Sequence, residues 1–100
     1  MQPAQLLHAR PEGVYVPPAD VFIDPTVPVP RAIVTHGHAD HARAGHGAVL
    51  ATPETLAIME ARYGRDFCGT RQPLPYGERV TIDGVEVSLH PAGHVLGSAQ

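Results

Sequence analysis

The sequence has no tryptophan, no lysine and a single cysteine, and only 5% of its 100 residues are aromatic. One cysteine excludes an internal disulfide and a paired-cysteine metal site, and we expect Cys68 to be a buried structural thiol. A net charge of −3 excludes a basic surface extending over the whole domain, so nucleic-acid contacts would depend on local arginine or bound metal. There is no apolar run of membrane-spanning length and no signal-peptide layout in residues 1–13, which predicts a cytoplasmic protein without a membrane partner.

Short apolar runs separated by proline and glycine predict a mainly β fold with one or two helices, of class α/β or α+β. Strands are expected at residues 13–16, 21–23, 32–35 and 48–51. A hairpin is expected at 80–82 and 85–89 around the turn Asp83-Gly84. The segment from Pro53 to Gly64 predicts a helix with Thr52 as its N-cap. At 100 residues the chain amounts to one small domain, whose thin core bound metal could stabilise.

Histidine is unusually frequent, with seven residues, four of which fall within the eleven positions 36–46. The stretch THGHADH places His36, His38, Asp40 and His41 within six residues, a pattern with roughly 0.002 chance occurrences expected at this composition. It directly follows a predicted buried strand, so we expect a tight turn that presents His36 and His38 to one metal ion and lets Asp40 and His41 reach a second. Imidazole and carboxylate ligands suit Zn²⁺, and they also admit Mn²⁺ or Fe. A second helix is expected to begin near His41, with Asp40 as its cap.

Three further residues need interpretation, and two of them have alternatives. His94, in PAGH, is either the missing third nitrogen ligand or a surface loop residue, and we favour the ligand because the upstream pair needs a partner. Asp24 is held extended by Pro25 and either supports a metal-bound histidine from behind or forms a simple Asp-Pro turn. His46 is expected to have a structural role, since on a helix it would point away from His41.

These motifs resemble the metallo-β-lactamase superfamily, through VFIDP, THGHADH and PAGH. The longer text YGERVTIDGVEVSLHPAGHVLGSAQ resembles the nuclease branch that carries a β-CASP insert. The segments FIDP, AIVTHGHADHARAGH and HPAGHVLGSAQ look most like the ligase-associated DNA exonucleases, also described as mRNA 3′-end-processing-like exonucleases. The resemblance runs from about Gly13 to Gln100. It implies the first half of an αββα sandwich, so residues 1–100 are expected to be the N-terminal portion of a nuclease domain that ends before the remaining metal ligands and the insert.

The resemblance also implies roles for single residues. His36, His38 and His94 would hold a first Zn²⁺, Asp40 and His41 a second, and Asp24 would support the site. Asp40 would also orient the attacking water and take its proton. The implied activity is phosphodiester hydrolysis by a DNA exonuclease of repair and ligation, in association with a DNA ligase or helicase, and these 100 residues alone are expected to be inactive.

Three alternatives stay open at this point. The first is an RNA-processing nuclease of the same fold. The second is a hydrolase of small thioesters or lactams, against which the segment GHVLGSAQ argues. The third is a non-catalytic metal-binding module.

Overall fold

Residues 8–37 and 42–91 are the part of the chain that the computed structural model describes, and they form eight strands and one helix. In chain order these are β1 (His8–Arg10), β2 (Gly13–Val16), β3 (Val21–Ile23), β4 (Arg31–Ile33), β5 (His46–Ala51), α1 (Pro53–Tyr63), β6 (Cys68–Pro73), β7 (Arg79–Ile82) and β8 (Val85–Ser88). The described residues are thus α+β, mostly strands with one helix, which confirms the predicted fold class and agrees with part of a sandwich. No helix among them is long and apolar enough to cross a bilayer.

Strands β1 to β6 form one sheet in sequential order, and β7 and β8 form a separate hairpin. The first three strands pair antiparallel, whereas β3 to β6 pair parallel. The parallel part matters for function because the carboxyl ends of neighbouring parallel strands meet at one edge of a sheet, where α/β proteins bind their ligands.

The two faces of the sheet bury different sets of side chains, as the alternation of side chains along a strand requires. In β5, Leu50 joins a hairpin-side cluster, against which β7 and β8 pack with Val80, Ile82, Val85 and Val87. The neighbouring Val49 and Ala51 join a helix-side cluster, which also contains Val34, Ala42, Leu56, Met59 and Phe67. The sheet therefore lies between the helix and the hairpin.

Helix α1 begins and ends as its sequence predicts. The Thr52 side chain accepts a hydrogen bond from the Thr55 N–H at 3.2 Å, and Pro53 occupies the first turn, where it removes no helical hydrogen bond. Gly64 ends the helix with a φ of 93°, a value that favours glycine. Leu56 and Met59 are buried, which attaches the helix to the sheet.

Several sequence expectations differ from the structure. Strand β4 ends at Ile33, two residues before the predicted end, and strands β1 and β6 were not predicted. The described residues 42–45 are not helical, so the helix expected from His41 is not found there. His46 begins a strand instead of lying on a helix.

Candidate metal centre

The centre is built where the parallel strands β3 and β4 end side by side. Ile23 and Ile33 are partners in the strand register. The backbone N–H of Asp24 continues the pairing by donating to the Ile33 carbonyl at 2.9 Å. Asp24 and the residues that follow β4 are thereby brought together at the carboxyl edge of the sheet, although eleven positions separate Asp24 from Thr35.

The Asp24 carboxylate accepts two hydrogen bonds from Thr35. The Thr35 backbone N–H donates to Oδ1 at 2.8 Å, and the Thr35 hydroxyl donates to Oδ2 at 2.5 Å. Asp24 has a φ of 48°, so the expectation that Pro25 holds it extended is wrong. Aspartate tolerates this left-handed conformation better than most residues, which lets the chain turn sharply and aim the carboxylate at the next strand end.

Thr35 extends this contact to His36. The Thr35 Oγ1 lies 2.9 Å from the His36 Nδ1. Because a carboxylate can only accept, the hydroxyl proton of Thr35 is committed to Asp24, and Oγ1 can then only accept from an Nδ1–H. This chain of donors assigns the proton of the neutral His36 ring to Nδ1 and the lone pair to Nε2.

A histidine in this state suits a metal ion. Metal-binding histidines commonly donate their second ring N–H to a carboxylate, carbonyl or water, which fixes the ring and raises its basicity. Here a hydroxyl that is itself hydrogen-bonded to Asp24 accepts this proton. His36 is only 9% exposed, so the orientation of its ring is further restricted by packing. A neutral imidazole held in this way can serve as one ligand of a divalent cation.

The other predicted ligands, His38, Asp40, His41 and His94, lie outside the described residues. Across residues 8–37 and 42–91, no three His, Cys, Asp or Glu side chains come together closely enough to hold a metal ion. The assignment of these four residues as metal ligands therefore stays a prediction. What the structure adds is the arrangement around His36 and the contacts that flank residues 38–41.

Those flanks are contacted by the last turn of α1. The Arg62 Nη1 donates to the Gly37 carbonyl at 2.5 Å, and the Tyr63 hydroxyl donates to the Ala42 carbonyl at 2.7 Å. The sequence indicates only that Tyr63 shares the stripe of Leu56 and Met59 on the helix. In the folded chain Tyr63 is 38% exposed, and its hydroxyl donates to the Ala42 carbonyl.

His46 has the structural role that the sequence predicts, though on a strand. It is 2% exposed, and its Nδ1 accepts a hydrogen bond from the Val29 N–H at 3.2 Å. The ring proton is then on Nε2, which has no hydrogen-bond partner among the described residues. Burial lowers the pKa of His46 below its ordinary value of 6.5, so the ring stays neutral.

His90 and Cys68 offer no further ligand cluster among the described residues. His90 follows β8 and is exposed, and its Nε2 lies 2.9 Å from the Ser88 Oγ. Cys68 is half-buried, where full burial was expected. Desolvation raises the pKa of its thiol, which disfavours the thiolate needed for metal binding or nucleophilic attack.

Sequence reasoning missed Thr35, the residue that joins Asp24 to His36. The available signal was its place, as a hydroxyl residue between a buried strand and the first histidine of the motif. Arg62 was missed as well, because its partner is a backbone carbonyl 25 positions away and no side-chain pattern marks such a contact.

Comparison with known proteins relates the chain to metal-dependent hydrolases. No protein-family model matches it, and no solved structure is significantly similar. A probable DNA ligase of Opitutus terrae is 41% identical over 90 residues, which cover 88% of this chain and 8% of that protein. Proteins named metal-dependent hydrolase from Methanosphaerula palustris and Methanoculleus marisnigri are 37% and 33% identical over 82 residues, 74% of this chain.

The chain spans 36% and 35% of the length of these two hydrolases, and a much smaller share of the ligase. These similarities show that the chain is related in sequence to metal-dependent hydrolases.

Proposed function

We propose that the protein is a two-metal phosphodiester hydrolase that acts on DNA as an exonuclease, with this chain as the N-terminal portion of its nuclease domain. The observation that carries the proposal is the hydrogen-bonded series Asp24–Thr35–His36, which leaves the lone pair of the first motif histidine on Nε2. Because the chain spans only about a third of the related hydrolases, the activity is assigned to the full-length protein.

The ligand assignment follows the motifs. The first Zn²⁺ would be held by His36, His38 and His94, and the second by Asp40 and His41, with Asp24 supporting His36 through Thr35. When bound, the ions supply Lewis acidity, which lowers the pKa of water towards about 7 and offsets negative charge on a phosphate. The ligand types also suit Mn²⁺, so the choice of Zn²⁺ rests on the balance of imidazole over carboxylate.

Two of these residues have further tasks. His36 presents Nε2 in a fixed direction, because Nδ1–H is tied to Thr35 and the ring is packed. Asp40 orients the attacking water and accepts its proton, the role of a general base. Both tasks require that the side chains be in place before substrate arrives.

A nucleic-acid substrate is supported by two observations. One is the resemblance of HPAGHVLGSAQ to the exonuclease branch. The other is the similarity to a protein named as a probable DNA ligase, which also motivates a DNA ligase or helicase as partner. With a net charge of −3, attraction of the phosphate backbone must come from bound cations and nearby arginine.

The test is hydrolysis by the full-length protein of end-labelled single-stranded DNA, single-stranded RNA and a small thioester, with Zn²⁺ and with a chelator. We expect DNA to be shortened stepwise, and chelator to abolish the reaction. Replacement of His36 by Ala should reduce the rate by at least about 100-fold. The matched control is His90→Ala, which removes an exposed imidazole that contacts Ser88.

Other outcomes separate the alternatives. Faster cleavage of RNA than of DNA would identify an RNA-processing nuclease of the same site, and cleavage of the thioester alone would reject the nuclease assignment. Stoichiometric Zn²⁺ binding without any hydrolysis would indicate a non-catalytic metal-binding protein.

A further inference from the structure

The last turn of α1 reaches both ends of the segment that carries three of the proposed ligands. Consecutive helix residues make the two contacts. Arg62 donates from Nη1 to the Gly37 carbonyl, and Tyr63 donates from its hydroxyl to the Ala42 carbonyl. Gly37 is the last described residue before positions 38–41, and Ala42 is the first after them. One rigid element is therefore hydrogen-bonded to the chain on each side of that segment.

Both carbonyls belong to buried residues, for which a missing partner is costly. Ala42 is 0% exposed and lies in the helix-side cluster with Met59. Gly37 is buried, and a Cβ placed on it would lie 2.9 Å from the Cγ2 of Ile58, so its backbone packs directly on the helix. Both hydrogen bonds are partly buried, so a carbonyl that lost its donor would be only partly solvated, and Arg62 and Tyr63 therefore stabilise the chain at these two positions.

The two donors also restrict each other. The Arg62 guanidinium carbon lies 5.8 Å from the centre of the Tyr63 ring, within the range of cation–π attraction. The helix that carries them is anchored at its start by the Thr52 cap and along its length by Met59. The packed helix thus holds both donors in place beside Gly37 and Ala42.

We propose that Arg62 and Tyr63 are positioning residues for metal binding, which hold Gly37 and Ala42 in place on the two sides of segment 38–41. The inference rests on the proposed function, since only there does the segment bind metal. Both act through their hydrogen bonds to backbone carbonyls. Fixing the residues on each side of the segment lowers the entropy that is lost on metal binding, and so raises affinity.

The experiment compares the full-length protein with Arg62→Met, Tyr63→Phe and the double variant. These changes remove the donors while keeping a helix-forming side chain or an aromatic ring. The matched controls are Arg65→Met, an exposed arginine of the same region, and Tyr15→Phe, which removes a hydroxyl bonded to Asp20 at 2.7 Å. Three quantities are measured: amide hydrogen exchange of the metal-free protein, Zn²⁺ affinity by competition with a chromogenic chelator, and stability in urea.

We expect faster exchange confined to the peptide that spans residues 37–42, and Zn²⁺ affinity about 10-fold weaker for each single variant. The controls should keep wild-type affinity and exchange in this peptide. Wild-type exchange and affinity in both test variants would overturn the proposal. So would faster exchange spread evenly over the whole protein, which would indicate only lower global stability.

Failure of the proposed function gives a different result. In that case the wild-type protein itself would not bind Zn²⁺ or would not hydrolyse DNA. The exchange comparison on the metal-free protein would still decide whether Arg62 and Tyr63 hold the segment, because it requires neither metal nor activity.

Discussion

The hydroxyl of Thr35 lies 2.5 Å from the Asp24 carboxylate, and this contact sets the direction of the hydrogen bonds that end at His36. This hydrogen bond matters mainly because it determines which atom donates to which along the series. A carboxylate cannot donate, so the proton of the hydroxyl points to Asp24 and the His36 ring must supply the next one. A change at one end of the series can therefore alter the protonated nitrogen at the other end.

The replacement Asp24→Asn should reverse the direction of the hydrogen bonds between residue 24, Thr35 and His36, because asparagine has nearly the same shape as aspartate but can donate. If the amide oxygen keeps the Thr35 N–H, the amide nitrogen faces the Thr35 hydroxyl and donates to it. Thr35 then donates to the His36 Nδ1 and forces the ring proton onto Nε2, the wrong tautomer for a ligand. We expect Zn²⁺ affinity to fall by about 100-fold, and ¹⁵N chemical shifts of the His36 ring to report the change of tautomer. Unchanged affinity and tautomer in the Asp24→Asn variant would contradict the assigned direction.

The replacement Thr35→Val removes the hydroxyl while retaining the branched shape. The variant lacks the hydrogen bonds that the hydroxyl makes with His36 and Asp24, so the ring is held less firmly. We expect Zn²⁺ affinity about 10-fold weaker, measured by chelator competition. Thr35→Ser is the control, because it keeps the hydroxyl and should bind within a few-fold of the wild-type protein. A loss of affinity in the serine variant but not in the valine variant would point to packing of the methyl group as the cause.

His46 should make stability depend on pH. Burial lowers its pKa in the folded state below the ordinary value of 6.5, so the unfolded chain binds this proton more tightly. The stabilising contribution is complete above about pH 6.5 and is lost as the pH falls through the lower folded pKa. A protonated ring would also place an Nδ1–H against the Val29 N–H, which now donates to that nitrogen.

The measurement is the free energy of unfolding in urea between about pH 7 and about pH 5, the range in which histidine charges. His46→Gln does not titrate and can still accept from Val29, so it should lose less stability over this range than the wild-type protein. His90→Gln removes an exposed ring and should keep the wild-type slope. A wild-type slope in the His46→Gln variant would show that other groups cause the dependence.

Ile58 leaves no room for a side chain at position 37, so a substitution there should lower stability. A Cβ at this position would lie 2.9 Å from Cγ2 and 3.2 Å from Cδ1 of Ile58, closer than packed carbon atoms allow. We expect Gly37→Ala to reduce the free energy of unfolding by about 1–3 kcal/mol, as overpacking does. Ile58→Ala in the same chain removes the clash. The double variant should therefore lose less free energy of unfolding than the two single variants lose together. Additive losses would mean that Ile58 is not the obstacle.

Local sequence signals specify the helix and the hairpin of this protein. The helix from Pro53 to Tyr63 follows from its threonine cap, its early proline and its terminal glycine, each of which acts within one turn. The hairpin follows from Asp83-Gly84, where both residues have a positive φ. Val85 and Val87, which alternate along β8, both pack against the hairpin-side cluster.

Strand β6 shows why other elements were not predictable. Five of its six residues are exposed, and it pairs with β5 alone among the described strands. Its stability comes from backbone hydrogen bonds to β5 and not from burial of its own side chains. Such a strand leaves no apolar periodicity in the sequence for prediction to use.

The sequence by itself determined which side chains are candidate metal ligands, because His36 and its neighbours stand out by residue type and spacing alone. Only the tertiary structure decided which groups support them. Parallel pairing of β3 and β4 brings Asp24 to Thr35, and packing of α1 on the sheet brings Arg62 and Tyr63 to the flanks of the motif. The physical reason is that ligand identity is a property of single side chains, whereas these contacts join residues 11 to 25 positions apart through backbone groups that every sequence shares.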